Sequence, residues 1–189
     1  KNDQAADDIA RLYLNTKRLA EEKGIVDGAN EVPHFSLRTL TRVLTYVNTI
    51  APLYGVRRAL YEGFSMGFLT LLDRNSEKML VPLIFHHLLD KHGDPHSLLS
   101  QPPKHPNDGR SYVKFQNKAR DRQYWLFQGQ EQPVEREDYI ITPYVERNLL
   151  NLVRATSTRR FPILIQGPTS AGKTSMIEYL ANFTGNKFV

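Results

Sequence analysis

Apolar residues recur at helical spacing through the first half of the chain, and this pattern predicts most of its elements. "DQAADDIARLYLNTKRLAEEKG" reads as a helix with Ile9, Leu12 and Leu19 near one stripe. Asp3, Asp7 and Asp8 suit its positive N-terminal end, and Lys17, Arg18 and Lys23 suit the other. Gly24 is a natural stop. In "FSLRTLTRVLTYVNTIA", Ser36 is a good N-cap and Leu37, Leu40, Leu44 and Val47 are expected to face a core. Arg38 and Arg42 share a different face, one turn apart. Pro52 is expected to break this helix. "LYGVRRALYEGFSMGFLTLLD" is apolar and helical in pattern, with Val56, Leu60, Phe64 and Leu71 inward, although Gly55, Gly63 and Gly67 argue against a straight rod. "SEKMLVPLIFHHLLDKHG" predicts a further helix, capped by Ser76 and kinked or restarted at Pro82. Residues 1–93 are thus expected to form a small all-helical unit.

The pattern then changes. "GDPHSLLSQPPKHPNDGR" is rich in Pro, Gly and Asp and reads as a linker or exposed loop. Tyr112–Phe115 and Tyr124–Phe127 are short β-like runs, so residues 94–138 predict a linker carrying a β-hairpin with basic residues at its tip. Tyr139–Ile141 suggests a short strand. Thr142 can cap a helix with Pro143 in its first turn, and Val145, Leu149 and Leu152 form an apolar stripe. "FPILIQ" is a compact run of the kind that forms a buried parallel strand. The fold class expected is mainly α with a small α/β part, residues 139–189 supplying a strand, a glycine loop and a helix.

Composition adds little to this and excludes some chemistry. Apolar content of 40% and charged content of 24% are ordinary for a globular protein. With no cysteine, disulfides and thiolate zinc sites are impossible. No apolar run reaches the roughly 18 residues of a membrane span, and the polar, acidic start is no secretory signal. The missing initiator Met suggests a piece of something longer. A net charge of +5 favours acidic partners mildly; on charge alone a solvated surface is the plainer reading than a nucleic-acid surface.

The strongest chemical signal is Gly167-Pro168-Thr169-Ser170-Ala171-Gly172-Lys173-Thr174, followed by Ser175, which matches G-x-x-x-x-G-K-[ST] without a mismatch. Glycines let the backbone turn so that its N–H groups converge on phosphate oxygens, and the helix after the loop adds its positive end. Lys173 is then the candidate for the β- and γ-phosphates and Thr174 the candidate Mg²⁺ ligand. A strand before and an amphipathic helix after, with Met176, Ile177 and Leu180 apolar, supply the context the motif requires. Hydrolysis also needs an acidic residue on a second strand and a group that orients water. Neither can be placed after Val189, so this stretch alone is expected to be inactive towards ATP.

Two segments, "IVDGANEVPHFSLRTLTR" and "TSTRRFPILIQGPTSAGKTSMIEYLA", carry a resemblance that covers nearly the whole sequence. They resemble the midasin family of dynein-related AAA+ ATPases, in which AAA+ modules lie in tandem on one chain and close into a ring. The resemblance implies that the first half is the helical lid of one module and the last quarter opens the next, with neighbouring AAA+ modules of the same chain as partners. It implies ATP and Mg²⁺ as cofactors, a nuclear location, and ATP-driven removal of assembly factors from pre-60S ribosomal particles. Arg38, in "FSLRTL", occupies the place of the lid arginine called sensor 2, which would serve the preceding module's ATP as Lys173 serves the next. Arg42 reads as a structural or interface residue. Tyr139, Ile140 and Ile141 lie where such modules line the adenine pocket, though packing into a sheet accounts for them equally. The stretch from about Asp94 to Arg122 resembles nothing in particular.

Other readings stay open on the sequence alone. The nucleotide could be a fixed brace that never turns over, or the loop could belong to an unrelated P-loop kinase or GTPase. "FHHLLDKHGDPH" puts His86 and His87 on different faces of a helix, and no Cys or paired carboxylate completes a metal site. Lys114, Lys118, Arg120 and Arg122, interleaved with Tyr112, Phe115, Tyr124 and Trp125, could contact RNA; a hairpin with apolar residues inward and basic ones solvated is the plainer reading.

Overall fold

The computed structural model describes residues 4–117, 119 and 121–189. Asp3 and the hairpin-tip residues Lys118 and Arg120 lie outside the described residues. The architecture is mainly helical with one small antiparallel sheet, and the chain divides into two compact units at Gln101 and Pro102.

The first unit is all-helical: α1 (Ala5–Glu21), α2 (Leu37–Tyr54), α3 (Val56–Phe64), a π-helical turn (Ser65–Leu69), α4 (Arg74–Leu88), a 3₁₀ turn (Asp90–His92) and α5 (Pro95–Ser100). Its core includes Leu12, Ala59, Phe68, Leu80, Ile84 and Leu88, with Phe35, Phe64 and Phe68 stacked or tilted against one another. Ser36 caps α2 as expected, its hydroxyl accepting from Thr39 N–H. The inward face of α2 is different from the stripe the spacing suggested. Leu37 is 69% exposed and Leu40 and Leu44 are half-buried, whereas Val43, Tyr46, Val47, Ile50 and Tyr54 are buried. Both stripes have helical period. The glycines decide between them: Gly63 and Gly67 let the backbone of α3 and the π turn approach Val43 and Val47, and a Cβ at Gly63 would lie 2.6 Å from Val47 Cγ2.

The π turn corrects a second expectation. It inserts extra backbone and rotates the residues after it, so Leu72 is 6% exposed and Leu71 54%. Nor does either proline break its helix. Pro52 lies in the last turn of α2, which ends at Gly55 (φ 80°), and α4 runs through Pro82. The cap of α4 is Asp73, whose carboxylate accepts from Ser76 N–H; Ser76 instead accepts from Val26 N–H. Within the stretch read as linker, Asp94 caps the short α5.

The second unit, Pro102–Val189, contains β1 (Tyr112–Asn117), β2 (Arg122–Phe127), α6 (Pro143–Thr156) and α7 (Lys173–Thr184). The strands form the expected hairpin, with Tyr112 opposite Phe127 and Phe115 opposite Tyr124. Phe115, Tyr124 and Leu126 turn inward, and Phe115 meets Phe183 of α7 edge-on at 5.5 Å. Thr142 caps α6, and Leu149, Leu150, Leu152 and Val153 bury its inner face.

Two expected strands do not form here. Tyr139–Ile141 and Phe161–Gln166 have no ladder partner among the described residues. A strand exists only through hydrogen bonds to a neighbour, and an apolar run cannot supply its own. Leu164 is accordingly 91% exposed, and Phe161 and Ile163 are exposed beside it. Arg122, expected on a solvated tip, is buried. Among the described residues no helix is long and apolar enough to cross a membrane.

Candidate functional site

The glycine loop ends where α7 begins. Gly172, its N-cap, has φ 73° in the left-handed region that glycine enters at little cost, and Ser170 has φ 63°. This reversal turns the chain from the loop into the helix. The Lys173 ammonium folds back across the loop, donating to the carbonyls of Gly167 (2.9 Å) and Pro168 (2.5 Å). Ser175 Oγ donates to the Gly172 carbonyl. The loop runs through a turn at Thr169 and Ser170. Thr174 is exposed in the first turn, beside Lys173. A glycine-turned loop, a helix N-terminus and an ammonium held at the loop mouth suit a polyphosphate, and an exposed hydroxyl next to the lysine suits a hard cation. The residues present could hold a polyphosphate with a divalent cation.

What holds this loop is the burial of Met176, Tyr179, Leu180 and Thr184 on one side of α7. The C-terminal end is clamped by the segment leaving the hairpin. Gly129 N–H donates to Thr184 O (2.8 Å), Glu131 N–H to Gly185 O (2.9 Å) and Val134 N–H to Asn182 O (2.8 Å). Sequence reasoning missed this clamp. The available signal was the pair of glycines, Gly129 and Gly185, each of which lies against backbone that a Cβ would strike.

Tyr139 lies beside the same helix. Its ring stacks on Tyr179 at 4.5 Å and 19°. Burial raises its hydroxyl above the ordinary tyrosine range, opposed by a hydrogen bond with Ser175. Burial likewise raises Tyr179, with Glu135 adding to the effect. Arg136 pairs with Asp138 (2.8 Å) and reaches Glu178 of α7 (3.8 Å), which fixes the approach to Tyr139. Ile140 and Ile141 are exposed. The structure thus brings Tyr139, Gly167–Gly172, Lys173, Thr174 and Ser175 together around one end of α7, with Ile140 and Ile141 following Tyr139 outward.

Arg38 belongs to the first unit, exposed in the opening turn of α2, with Arg42 exposed one turn later. Of the histidines, His87 is buried against Asn15, while the neighbouring ring of His86 is exposed. No group of three or more His, Cys, Asp or Glu suited to a metal ion occurs among the described residues.

Comparison with known proteins now bears on the lid-like first unit. Residues 1–91 match the family model of the midasin AAA lid domain. The similarity extends past the lid. Midasin of Dictyostelium discoideum is 42% identical over 97% of this chain, and midasin of Giardia intestinalis is 29% identical over 94% of it. The chain spans only 3% and 4% of the length of those two relatives. The similarity to these two relatives therefore includes the stretch that carries the glycine loop.

Proposed function

We propose that this chain serves a midasin-like ATPase by joining two AAA+ modules: the lid of one and the nucleotide-cradling start of the next. The observation that carries the reading is the loop Gly167–Gly172, turned by a left-handed Gly172 into the N-terminus of α7 with Lys173 held across its mouth. The loop N–H groups and Lys173 would bind the phosphates of ATP, Thr174 would hold Mg²⁺, and Tyr139, Ile140 and Ile141 would border the base. The magnesium ion would neutralise phosphate charge. Arg38 would act as sensor 2 on a different nucleotide, that of the preceding module. The carboxylate that completes hydrolysis would come from elsewhere in the parent protein. In that protein, ATP turnover would shift lid against core and release assembly factors from pre-60S ribosomal particles in the nucleus. Such a shift requires ATP to bind the two arrangements with different affinity.

The test is steady-state ATP turnover by the full-length protein, wild type against Lys173→Ala. The expected outcome is a fall in kcat of at least tenfold with the assembly intact. Unchanged kcat with loss of one bound nucleotide per chain would favour the second reading, a fixed structural brace.

A further inference from the structure

The hairpin has two unlike faces. Its inner face, carrying Phe115, Tyr124 and Leu126, is buried. Its outer face pairs Tyr112 with Phe127, Lys114 with Trp125, and Gln116 with Gln123. Strand periodicity puts these six side chains on one surface. The three aromatic rings are half-buried and therefore still reach solvent, which is unusual for so much apolar area on a face that could have been polar.

Cations surround the rings. Lys114 Nζ lies 5.8 Å from the Trp125 ring centroid, and Arg110 and Arg159 approach the Phe127 ring at 5.5 and 5.0 Å. The His105 ring meets Trp125 edge-on at 4.7 Å. Trp125 Nε1 donates to the Pro103 carbonyl, and the Tyr112 hydroxyl donates to Asp108. Both polar ends are engaged, which fixes the Tyr112 and Trp125 rings, and the cations that lie over Trp125 and Phe127 are long side chains able to swing off them onto phosphates. Asp108 is a negative charge at this edge, shared between Tyr112 and Arg110.

We propose that this outer face is a platform for single-stranded nucleic acid, with bases stacking on Tyr112, Trp125 and Phe127 and phosphates meeting Arg110, Lys114 and Arg159. Fixed aromatic rings flanked by long cationic side chains suit a ligand that alternates flat bases with negative charge. An acidic peptide would use the cations and leave the rings without a purpose. The proposal does not depend on the ATP reading, because the loop Gly167–Thr174 contributes no residue to it.

The experiment uses the full-length protein and labelled twelve-nucleotide oligouridylate, oligothymidylate, duplex RNA and polyglutamate as probes. Wild type is compared with Arg110→Glu/Lys114→Glu and with Tyr112→Ser, each checked first for an unchanged melting temperature. Binding is measured against salt, and ultraviolet cross-links are mapped by mass spectrometry. The expected results are cross-links within residues 110–127, a loss of about tenfold or more from Tyr112→Ser, and a salt slope reduced by about 1.4 in the charge variant, at roughly 0.7 per phosphate contact. Preference for uridylate over thymidylate would identify RNA as the source; equal binding would leave the shared chemistry intact. Cross-links confined to other regions with unchanged affinity would overturn the proposal. So would polyglutamate binding that the charge variant abolishes and Tyr112→Ser leaves untouched, which would mark a surface for acidic protein.

Discussion

Asp8 shows how much one side chain can hold. It is buried near the start of α1, with Arg57 Nη1 at 2.6 Å and His92 Nε2 at 3.4 Å, so a single carboxylate joins α1, α3 and the 3₁₀ turn after α4. Burial pushes its carboxyl up, but the hydrogen bonds and charges of Arg57 and His92 outweigh that and bring it below the ordinary range. Asp8→Asn is expected to destabilise the first unit by about 3 kcal/mol, because Arg57 would remain buried without its counter-charge; denaturant titration checks this. His87 makes a separate prediction. Its Nε2 lies 3.0 Å from Asn15 Nδ2, so as placed the amide donates and the neutral ring accepts. Burial lowers its pKa below 6.5, with His86 and Lys91 adding to the effect. The unfolded chain therefore binds a proton at His87 at a pH where the folded chain does not, so stability is complete above about pH 6.5 and falls as pH drops below it. Asp8 acts in the same direction lower down: its stabilisation is present above the unfolded carboxyl value, near 3.8, and is lost as pH falls through its depressed folded value. Melting temperature against pH should show a decline starting near 6.5 that His87→Asn removes, and a later decline below about 4 that Asp8→Asn removes.

At the scale of elements, the outcome turned on glycine and on hydrogen-bond partners. Caps built from Ser36 and Thr142 and the two hairpin strands were legible because their cause lies within a few residues. The phase of α2 was not, because either apolar stripe satisfies helical period and the choice rests on Gly63 and Gly67, a whole helix away. Gly67→Ala is expected to cost about 1–3 kcal/mol, since its Cβ would strike Val43 and the neighbouring helix would have to move. Gly28→Ala, with open space at its Cβ, should change stability by less than about 0.5 kcal/mol. Thermal melts of the two variants decide whether packing, and not glycine content, is the cause. The π turn was illegible for a similar reason. It swaps Leu71 for Leu72 by extra backbone, and no periodicity records an insertion of that kind.

At the scale of the molecule, the glycine loop could be read from eight consecutive residues, whereas the neighbours that support it could not. Tyr139 reaches the loop helix by stacking on Tyr179, and Gly129 closes on Gly185, contacts made across long stretches of chain. The first unit has its own buried core and its own internal ion pair, Arg58 with Glu62, at 1% and 0% side-chain exposure. A polypeptide of residues 1–101 is therefore expected to unfold in one cooperative step, with coincident circular dichroism and fluorescence transitions. The clamp on α7 has a consequence in time as well as space. Because Gly129, Glu131 and Val134 donate to the last turn of that helix and its cap, their amides can exchange with heavy water only when the helix end opens. The strand exit and the glycine-loop helix should therefore open together, and whatever slows one, a ligand of the loop included, should slow the other by the same factor.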